Sequence, residues 1–507
     1  MRIASVEIHN WRSIRSTSLS CFDITMLIGK NNHGKSNILF GLLFFFGRIE
    51  PEGNDFFERS ADICVQVSFA DLGDEERGAF RRLMQGESLT ITKTLRTNDL
   101  TTEWTAGGKP LDDDEVAALS AWLEHCIFVP ASRQNPEAIN HRGETPVFQL
   151  LRAMVSDLSG LPVDIDDDCP EFFCDAKQVR HNDDPLLSDL EHVLAQELTA
   201  WGAEIRLERT PGDTARIQLK TSIGITDGVD TARKGHGLQR ALIFAILRTW
   251  ASFLARPQYV HSGGDHYFIL FEEPELFLHP QAQKELHFAF QQIAENGAQV
   301  MFSTHSSFFV DLSMYKSICV VHRKDAAEGT KVHQYLEDIF ELNEDVRNFN
   351  MNYWINPDRG ELFFAKKVIL AEGPTEKVIL PKLAKKAGIF HYEYTIIDCS
   401  GKSNMPMYIT LLNKFRIPYV VAYDSDQHPY RSRHSREAAR LHSQTIDDRI
   451  DPSLGRSVVF ANDIEDELDL RETDKKNKPF TALQYIADPK FEMSDSLLDK
   501  LMQLYDD

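Results

Sequence analysis

Residues Gly29-Lys30-Asn31-Asn32-His33-Gly34-Lys35-Ser36 constrain this chain more than any other stretch, because they match G-x-x-x-x-G-K-S in the context that gives the pattern a physical meaning. The run DITMLIG before them reads as a strand, and the apolar run from Ile38 to Gly47 after them reads as a helix. A loop between the two, turned on Gly29 and Gly34, presents its backbone N–H groups, those of Asn31 and Asn32 included, at a helix N-terminus, where phosphates bind. Lys35 then reaches the β/γ oxygens and Ser36 offers its hydroxyl to Mg²⁺. The expectation is an α/β domain that binds ATP.

A second constraint lies in KKVILAEGPTEK, residues 366 to 377. An apolar strand ends in Glu372-Gly373 and a helix starts near Pro374, so a carboxylate is delivered at the carboxyl end of a strand. Glu376 lies one helical turn on and can face the same space. Gly373 is expected to let the backbone bend and to admit a ligand closely. About fifty residues later IPYVVAYDSD forms another apolar strand, ending in Asp424 and Asp426, which alternation would put on one face. Four carboxylates gathered there repel by about 1 to 4 kcal/mol per pair at about 4 Å, so cations are required. Oxygen-only ligation favours Mg²⁺ or Mn²⁺, and two such ions suit in-line phosphodiester chemistry. E-G-x-x-E followed by a D-x-D strand end is similar to the Toprim domain.

The remaining motifs follow in a consistent order. Lys234-Gly235-His236-Gly237-Leu238-Gln239-Arg240 opens the helix RALIFAILRTW, and two glycines at a helix start make an anion site. HYFILFEEPELFLHP is a strand ending in Glu272-Glu273, and AQVMFSTHSS is a strand ending at His305. With Asn10, Arg12 and the NNHGKSN loop, this order resembles the SMC and ABC-type ATPases. The resemblance implies that Gly235 and Gly237 act as a signature segment pressing on the γ-phosphate held by an opposite P-loop. It also implies that Glu272 holds Mg²⁺ through water, Glu273 acts as general base and His305 is the switch histidine. Gln134 stands where a Q-loop residue would stand. His236 occupies a position that more often carries serine.

The whole order, an SMC-like head with a helical insertion, a DRGELFFA join and then Toprim, resembles the OLD family of ATP-dependent nucleases. The resemblance implies a DNA-cleaving or nicking dimer under ATPase control, often in defence against phage. It further implies Glu465 as a second-metal ligand, with Asp463 next, and Lys478 of the KKNKP run as the stabiliser of developing phosphorane charge.

The expected architecture is therefore α/β: an ABC/SMC-type ATPase head over 1–140 and 201–360, interrupted by a helical insertion over 141–200, and a Rossmann-like Toprim domain with a parallel sheet over 361–507. Leu186, Leu187, Leu190, Leu194 and Leu198 form a stripe that reads as packing, and the insertion as a whole would serve self-association. Partners implied are DNA, a second copy through the insertion and the heads, and a defence-system protein or nucleic acid.

Composition narrows these readings. With 507 residues and a formal charge of −22, a DNA path must be local; Lys382, Lys385, Lys386, Arg431, Arg433, Arg436 and Arg440 are the candidates. Seven cysteines show no C-x-x-C pairing. The chain opens on an alternating strand rather than a signal peptide, and its longest apolar run is too short to span a bilayer, so a cytoplasmic protein without a membrane anchor is expected. The rival reading from another class is a nucleotide-driven DNA clamp or signalling scaffold whose Toprim domain does not cut.

Overall fold

The computed structural model describes residues 1–84, 86–131, 144–165, 184–199, 203–210, 214–221, 231–256, 266–337, 357–429, 432–468, 470 and 477–506. Gln134, the acidic run at 166–168, Arg431 and the start of the KKNKP run lie outside the described residues. The chain divides into two compact units, Met1–Phe309 with Ser317–Val332, and Val310–Lys316 with His333–Asp507.

The first unit contains β1 (Arg2–Trp11), β2 (Ile14–Ser20), β3 (Ile24–Ile28), β4 (Ile63–Ala70), β5 (Leu89–Leu95), β6 (Thr102–Ala106), β7 (Lys109–Pro110), β8 (Cys126–Val129), β9 (Val163–Ile165), β10 (Ala203–Arg209), β11 (Ala215–Thr221), β12 (Phe268–Glu272), β13 (Gln299–Thr304) and β14 (Ile318–Arg323), with β15 (Thr330–His333) at its edge. One sheet runs β2-β1-β4-β5-β6-β7 and is antiparallel. Its strands alternate: in β4, Ile63, Val65, Val67 and Phe69 are buried while their neighbours are half-buried. Another sheet runs β15-β14-β3-β13-β12-β8, and its central strands pair in parallel. There β3 and β13 are buried along their whole length, as strands covered on both faces must be.

The segment after Trp11 contains β2, which pairs antiparallel with β1. Asn10 and Arg12 turn the chain in the left-handed region, at φ 57 and 47, which no glycine announces. The leucine stripe belongs to the helix Pro185–Thr199, whose Leu187, Leu190, Leu194 and Leu198 are buried. That helix packs on β10 and on the helix Thr231–Leu254 of the same chain. β10, β11 and β9 form a separate three-stranded sheet.

The second unit carries one parallel sheet of β16 (Lys367–Ala371), β17 (Tyr394–Asp398), β18 (Tyr419–Asp424) and β19 (Gly455–Phe460), in the order β17-β16-β18-β19. Helices Pro374–Ala387, Met405–Lys414 and Arg433–Asp447 connect successive strands. The first connection runs to one side of β16 and the second returns across it, so the order reverses between β16 and β18. Open α/β sheets bind ligands at the carboxyl ends of strands at such a reversal. Glu372 and Asp424 stand there.

Candidate functional site

In the first unit the P-loop follows β3 directly and ends in the helix Lys35–Phe45. Gly34 adopts φ +99, and a Cβ there would stand 2.2 Å from Thr330 Oγ1 and 2.7 Å from Ser13 Oγ. Gly29, at φ +141, passes so close to Val321 that a Cβ would meet its carbonyl oxygen at 2.3 Å. Both glycines are therefore demanded by neighbouring strands as well as by the loop. Asn32 is also left-handed, at φ 62, and Asn31 precedes it in the loop, with Ser36 in the first turn of the helix.

Lys35 is buried and its Nζ donates to Gly29 O at 2.9 Å, Lys30 O at 3.0 Å and His305 Nε2 at 2.8 Å. Burial lowers its ammonium to about 8, while Glu273, Glu275 and Glu272 hold it up. His305, one residue beyond β13, is pushed down to about 4 by burial and by Lys35, so its ring accepts from the lysine as a neutral imidazole. Glu273 Oε1 lies 3.7 Å from the same ring nitrogen. Glu273 is held at φ 47, and its carboxyl is raised by burial first and then by Glu275 and Glu272. Glu272 ends β12, and its Oε2 accepts from Ala131 N at 3.0 Å.

Glu275 is a residue that the motif reading passed over. Its Oε2 accepts from Thr304 Oγ1 at 2.8 Å and its Oε1 from His305 N at 2.6 Å, so it ties the turn after β12 to the end of β13. The only sequence signal was a third acid in EEPE. Gly235 and Gly237 lie within the helix Thr231–Leu254, which starts several residues before the expected position. Arg240 of that helix is buried and donates to Pro130 O at 2.6 Å and Glu272 O at 3.0 Å.

In the second unit, Glu372 follows β16 and its Oε2 accepts from Asp424 N at 3.2 Å. Glu376 is buried in the first turn of the helix Pro374–Ala387, and its Oε2 accepts from Gly373 N at 3.0 Å. Gly373 itself is extended, at φ −150, and a Cβ there would meet only ordinary contact. The expected conformational need for glycine is thus absent; its amide caps onto Glu376 instead. Asp424 ends β18, is 9% exposed, and its Oδ1 is buried without a hydrogen-bond partner.

Burial pushes the Asp424 carboxyl up to about 9, with Glu376, Glu372, Asp463 and Glu465 adding to the shift. Burial likewise raises Glu376 to about 7, with Glu372 and Glu465 adding. The acids from β16, its following helix, β18 and the segment after β19 therefore share one electrostatic environment. Asp426 is not placed by strand alternation: the strand ends at Asp424, and Asp426 turns at φ 57 with its N–H on Asn462 O at 2.8 Å. Glu465 is buried, and its Oε1 meets Lys478 Nζ at 3.0 Å. Burial opposes the Lys478 charge, but Glu465, Asp463 and Asp424 outweigh it and raise the ammonium above its ordinary value. Asp463 caps the turn Ile464–Glu467 through Oδ1 and meets His428 Nε2 at 2.8 Å through Oδ2. His428 Nδ1 lies 3.5 Å from Asp466, and these three residues form a cluster that the sequence reading did not anticipate.

A buried carboxylate oxygen with no donor, in the field of Glu376, Glu372, Asp463 and Glu465, suits a divalent cation by the chemistry of its donors, although among the described residues three ligand atoms come within 4.8 Å of one another only at His428, Asp463 and Asp466. Of the acids expected as ligands, Glu372, Glu376, Asp424 and Glu465 act on one another electrostatically. Oxygen donors fit Mg²⁺ or Mn²⁺ better than a softer metal.

Fold and sites together define an α/β P-loop ATPase head joined to a Toprim domain in one chain. A model of the Toprim domain of overcoming lysogenization defect (OLD) protein-like proteins matches residues 363–426, and a model of the AAA ATPase domain matches residues 1–100 and 185–310. These matches bear out the resemblance to the OLD family that the motifs carry. The OLD nuclease of Thermus scotoductus is 27% identical over 238 residues, which is 46% of this chain and 43% of that protein. The Old nuclease of Escherichia phage P2 is 24% identical over 84% of this chain and 77% of its own length. Endonuclease GajA of Bacillus cereus is 22% identical over 84% of this chain and 75% of its own length. Among solved structures, an SMC head domain from Thermotoga maritima aligns with 67% of this chain and all of its own, at 12% identity and a TM-score of 0.35. Among the described residues no helix is long and apolar enough to cross a membrane.

Proposed function

We propose that this chain is an ATP-regulated, divalent-metal-dependent DNA endonuclease that nicks or cuts through its Toprim site, in prokaryotic anti-phage defence. The observation that carries the reading is Asp424: a buried carboxylate with an unpartnered oxygen, on the strand next to Glu372, in the field of Glu376 and Glu465. A site that confines so much negative charge is stable only if cations offset it. The names of the relatives, nucleases in each case, support the same conclusion.

Divalent ions, two by this reading, supply charge neutralisation for the phosphodiester and activation of the attacking water. The residues of the chain do the rest. Glu372, Glu376, Asp424, Asp426 and Glu465 hold the ions in place. Lys478, oriented by Glu465, offers an ammonium to the negative charge that develops on the phosphate. In the ATPase head, Gly29, Asn31, Asn32, Gly34, Lys35 and Ser36 bind nucleotide, with Ser36 and Glu272 toward its Mg²⁺. Gly235 and Gly237 engage the nucleotide of a second copy. Glu273 acts as general base and neutral His305 senses the γ-phosphate, so that nucleotide binding shifts the population of the cleaving state. The chain works as a homodimer through the inserted segment and the heads.

The experiment is supercoiled plasmid incubated with Mg²⁺ or Mn²⁺, with and without ATP. Wild type should yield nicked or linear product, Glu372→Ala none while still binding ATP, and Lys35→Ala product that no longer responds to ATP. Cutting by purified Glu372→Ala would remove the assignment. DNA retention without cutting by wild type, under every metal, would favour the clamp.

A further inference from the structure

Lys402 lies in none of the motifs, on the segment that leaves β17, yet its side chain is 7% exposed. Ser400 and Gly401 turn that segment in the left-handed region, at φ 56 and 121. Cys399 N donates to Ala371 O at 2.9 Å and Gly401 N to Glu372 O at 2.7 Å, which fixes the segment to the end of β16. From there Lys402 reaches across: its Nζ donates to Asp424 O, stands 3.9 Å from Asp426 Oδ2 and lies 4.7 Å over the ring of Tyr423. One side chain thus connects the backbone end of β18 to the acid that follows it, from a segment anchored on the first acid-bearing strand.

We propose that Lys402 is a resident cation of the acid cluster, a positioning residue that holds the Asp424–Asp426 turn in place before any divalent ion binds. The inference rests on the metal-site reading above and extends it. Carboxylates that share one electrostatic environment, as Asp424, Glu372, Glu376 and Glu465 do, destabilise one another or take up protons without compensation. Lys478 compensates Glu465, at 3.0 Å. Lys402 compensates Asp426 and, by occupying the Asp424 carbonyl, fixes the backbone from which both aspartates project. A buried ammonium is costly in isolation and is tolerated where anions and an acceptor surround it. It belongs to the chain, whereas a divalent ion depends on supply.

The test is thermal unfolding of the full chain at pH 8, in EDTA and in Mn²⁺, for wild type, Lys402→Met, Lys402→Gln and Lys402→Arg, each also with Asp426→Asn. In EDTA, Lys402→Met and Lys402→Gln should melt lower than wild type by about 2 °C or more, and Lys402→Arg close to it. The loss should shrink in the Asp426→Asn background, because the repulsion is gone, and Mn²⁺ should raise Lys402→Met by more than it raises wild type. A loss of equal size in the Asp426→Asn background and in Mn²⁺ would mean that the lysine only fills space, and overturns the proposal. If Lys402→Met does not fold, Lys402→Gln carries the same comparison. Plasmid nicking by the wild-type preparation reads the nuclease assignment separately, so failure of either idea is visible on its own.

Discussion

Lys35 Nζ donates to His305 Nε2 at 2.8 Å, joining the P-loop to the end of β13 through a charged donor and a neutral ring. This contact has a pH signature. His305 is a base whose folded value, about 4, lies below its ordinary 6.5, so the folded state binds fewer protons than the unfolded state between those limits. Its contribution to stability is complete above pH 6.5 and is lost as pH falls through about 4. NMR titration of the nucleotide-free protein should find one histidine ring titrating near 4. Lys35→Ala should raise that value only partly, because burial is the larger cause. A ring titrating at 6.5 in wild type would contradict the contact.

The leucines of helix Pro185–Thr199 lead to a second expectation. Leu194 is fully buried, on a helix that packs on β10 and the helix Thr231–Leu254. Leu194→Ala should therefore cost about 2 to 5 kcal/mol of stability, as a cavity in a core does. Differential scanning calorimetry should show the melting transition move down. Analytical ultracentrifugation of the folded fraction should show an unchanged oligomeric state. Loss of association with unchanged melting would instead make the stripe an intermolecular surface.

The parts legible in the sequence were those set by local periodicity. The P-loop, the strand ends at Glu272, His305, Glu372 and Asp424, and the parallel order around them follow from apolar runs that stop at a polar residue. The parts missed depend on the third dimension. β2 was hidden because left-handed Asn10 and Arg12 do what glycine usually announces. Gly373 looked like a conformational requirement and is extended backbone whose amide serves Glu376. Asp426 is set by a left-handed turn on Asn462, not by strand alternation. Glu275 and His428 act through partners 30 and 35 residues away, a separation no motif encodes.

Lys478 and Glu465 provide a test that separates binding from chemistry. Their 3.0 Å contact presents an ammonium beside the acids without requiring it to hold the ions. Lys478→Met should lower kcat for plasmid cleavage by about 100-fold, the scale of losing one charge-stabilising donor, and leave KM for DNA within a few-fold. Glu465→Gln should lower both kcat and Mn²⁺ affinity, since it removes an acid as well as the orienting partner. If Lys478→Met raises KM and leaves kcat intact, the lysine belongs to DNA binding.

Asp424 sets site against stability. Its carboxyl, pushed up to about 9 chiefly by burial, belongs to an acid that binds more protons folded than unfolded. Its protonated form is fully tolerated below its ordinary 3.8, and stability is lost as pH rises from there through about 9. Glu376, raised to about 7 chiefly by burial, acts in the same direction over a narrower window. In EDTA the wild-type melting temperature should therefore fall between pH 6 and pH 9, and Asp424→Asn, which carries no charge to bury, should melt higher than wild type at pH 8 and vary less with pH. Divalent metal should reverse that order. An ion at one hundred times its Kd adds about 2.7 kcal/mol to a chain that binds it, and Asp424→Asn lacks the central ligand. Melting curves for both proteins, in EDTA and in Mn²⁺ across that pH range, make the comparison. An Asp424→Asn protein that melts below wild type in EDTA, or gains as much from Mn²⁺, would show that the acid cluster is a structural network that does not await an ion.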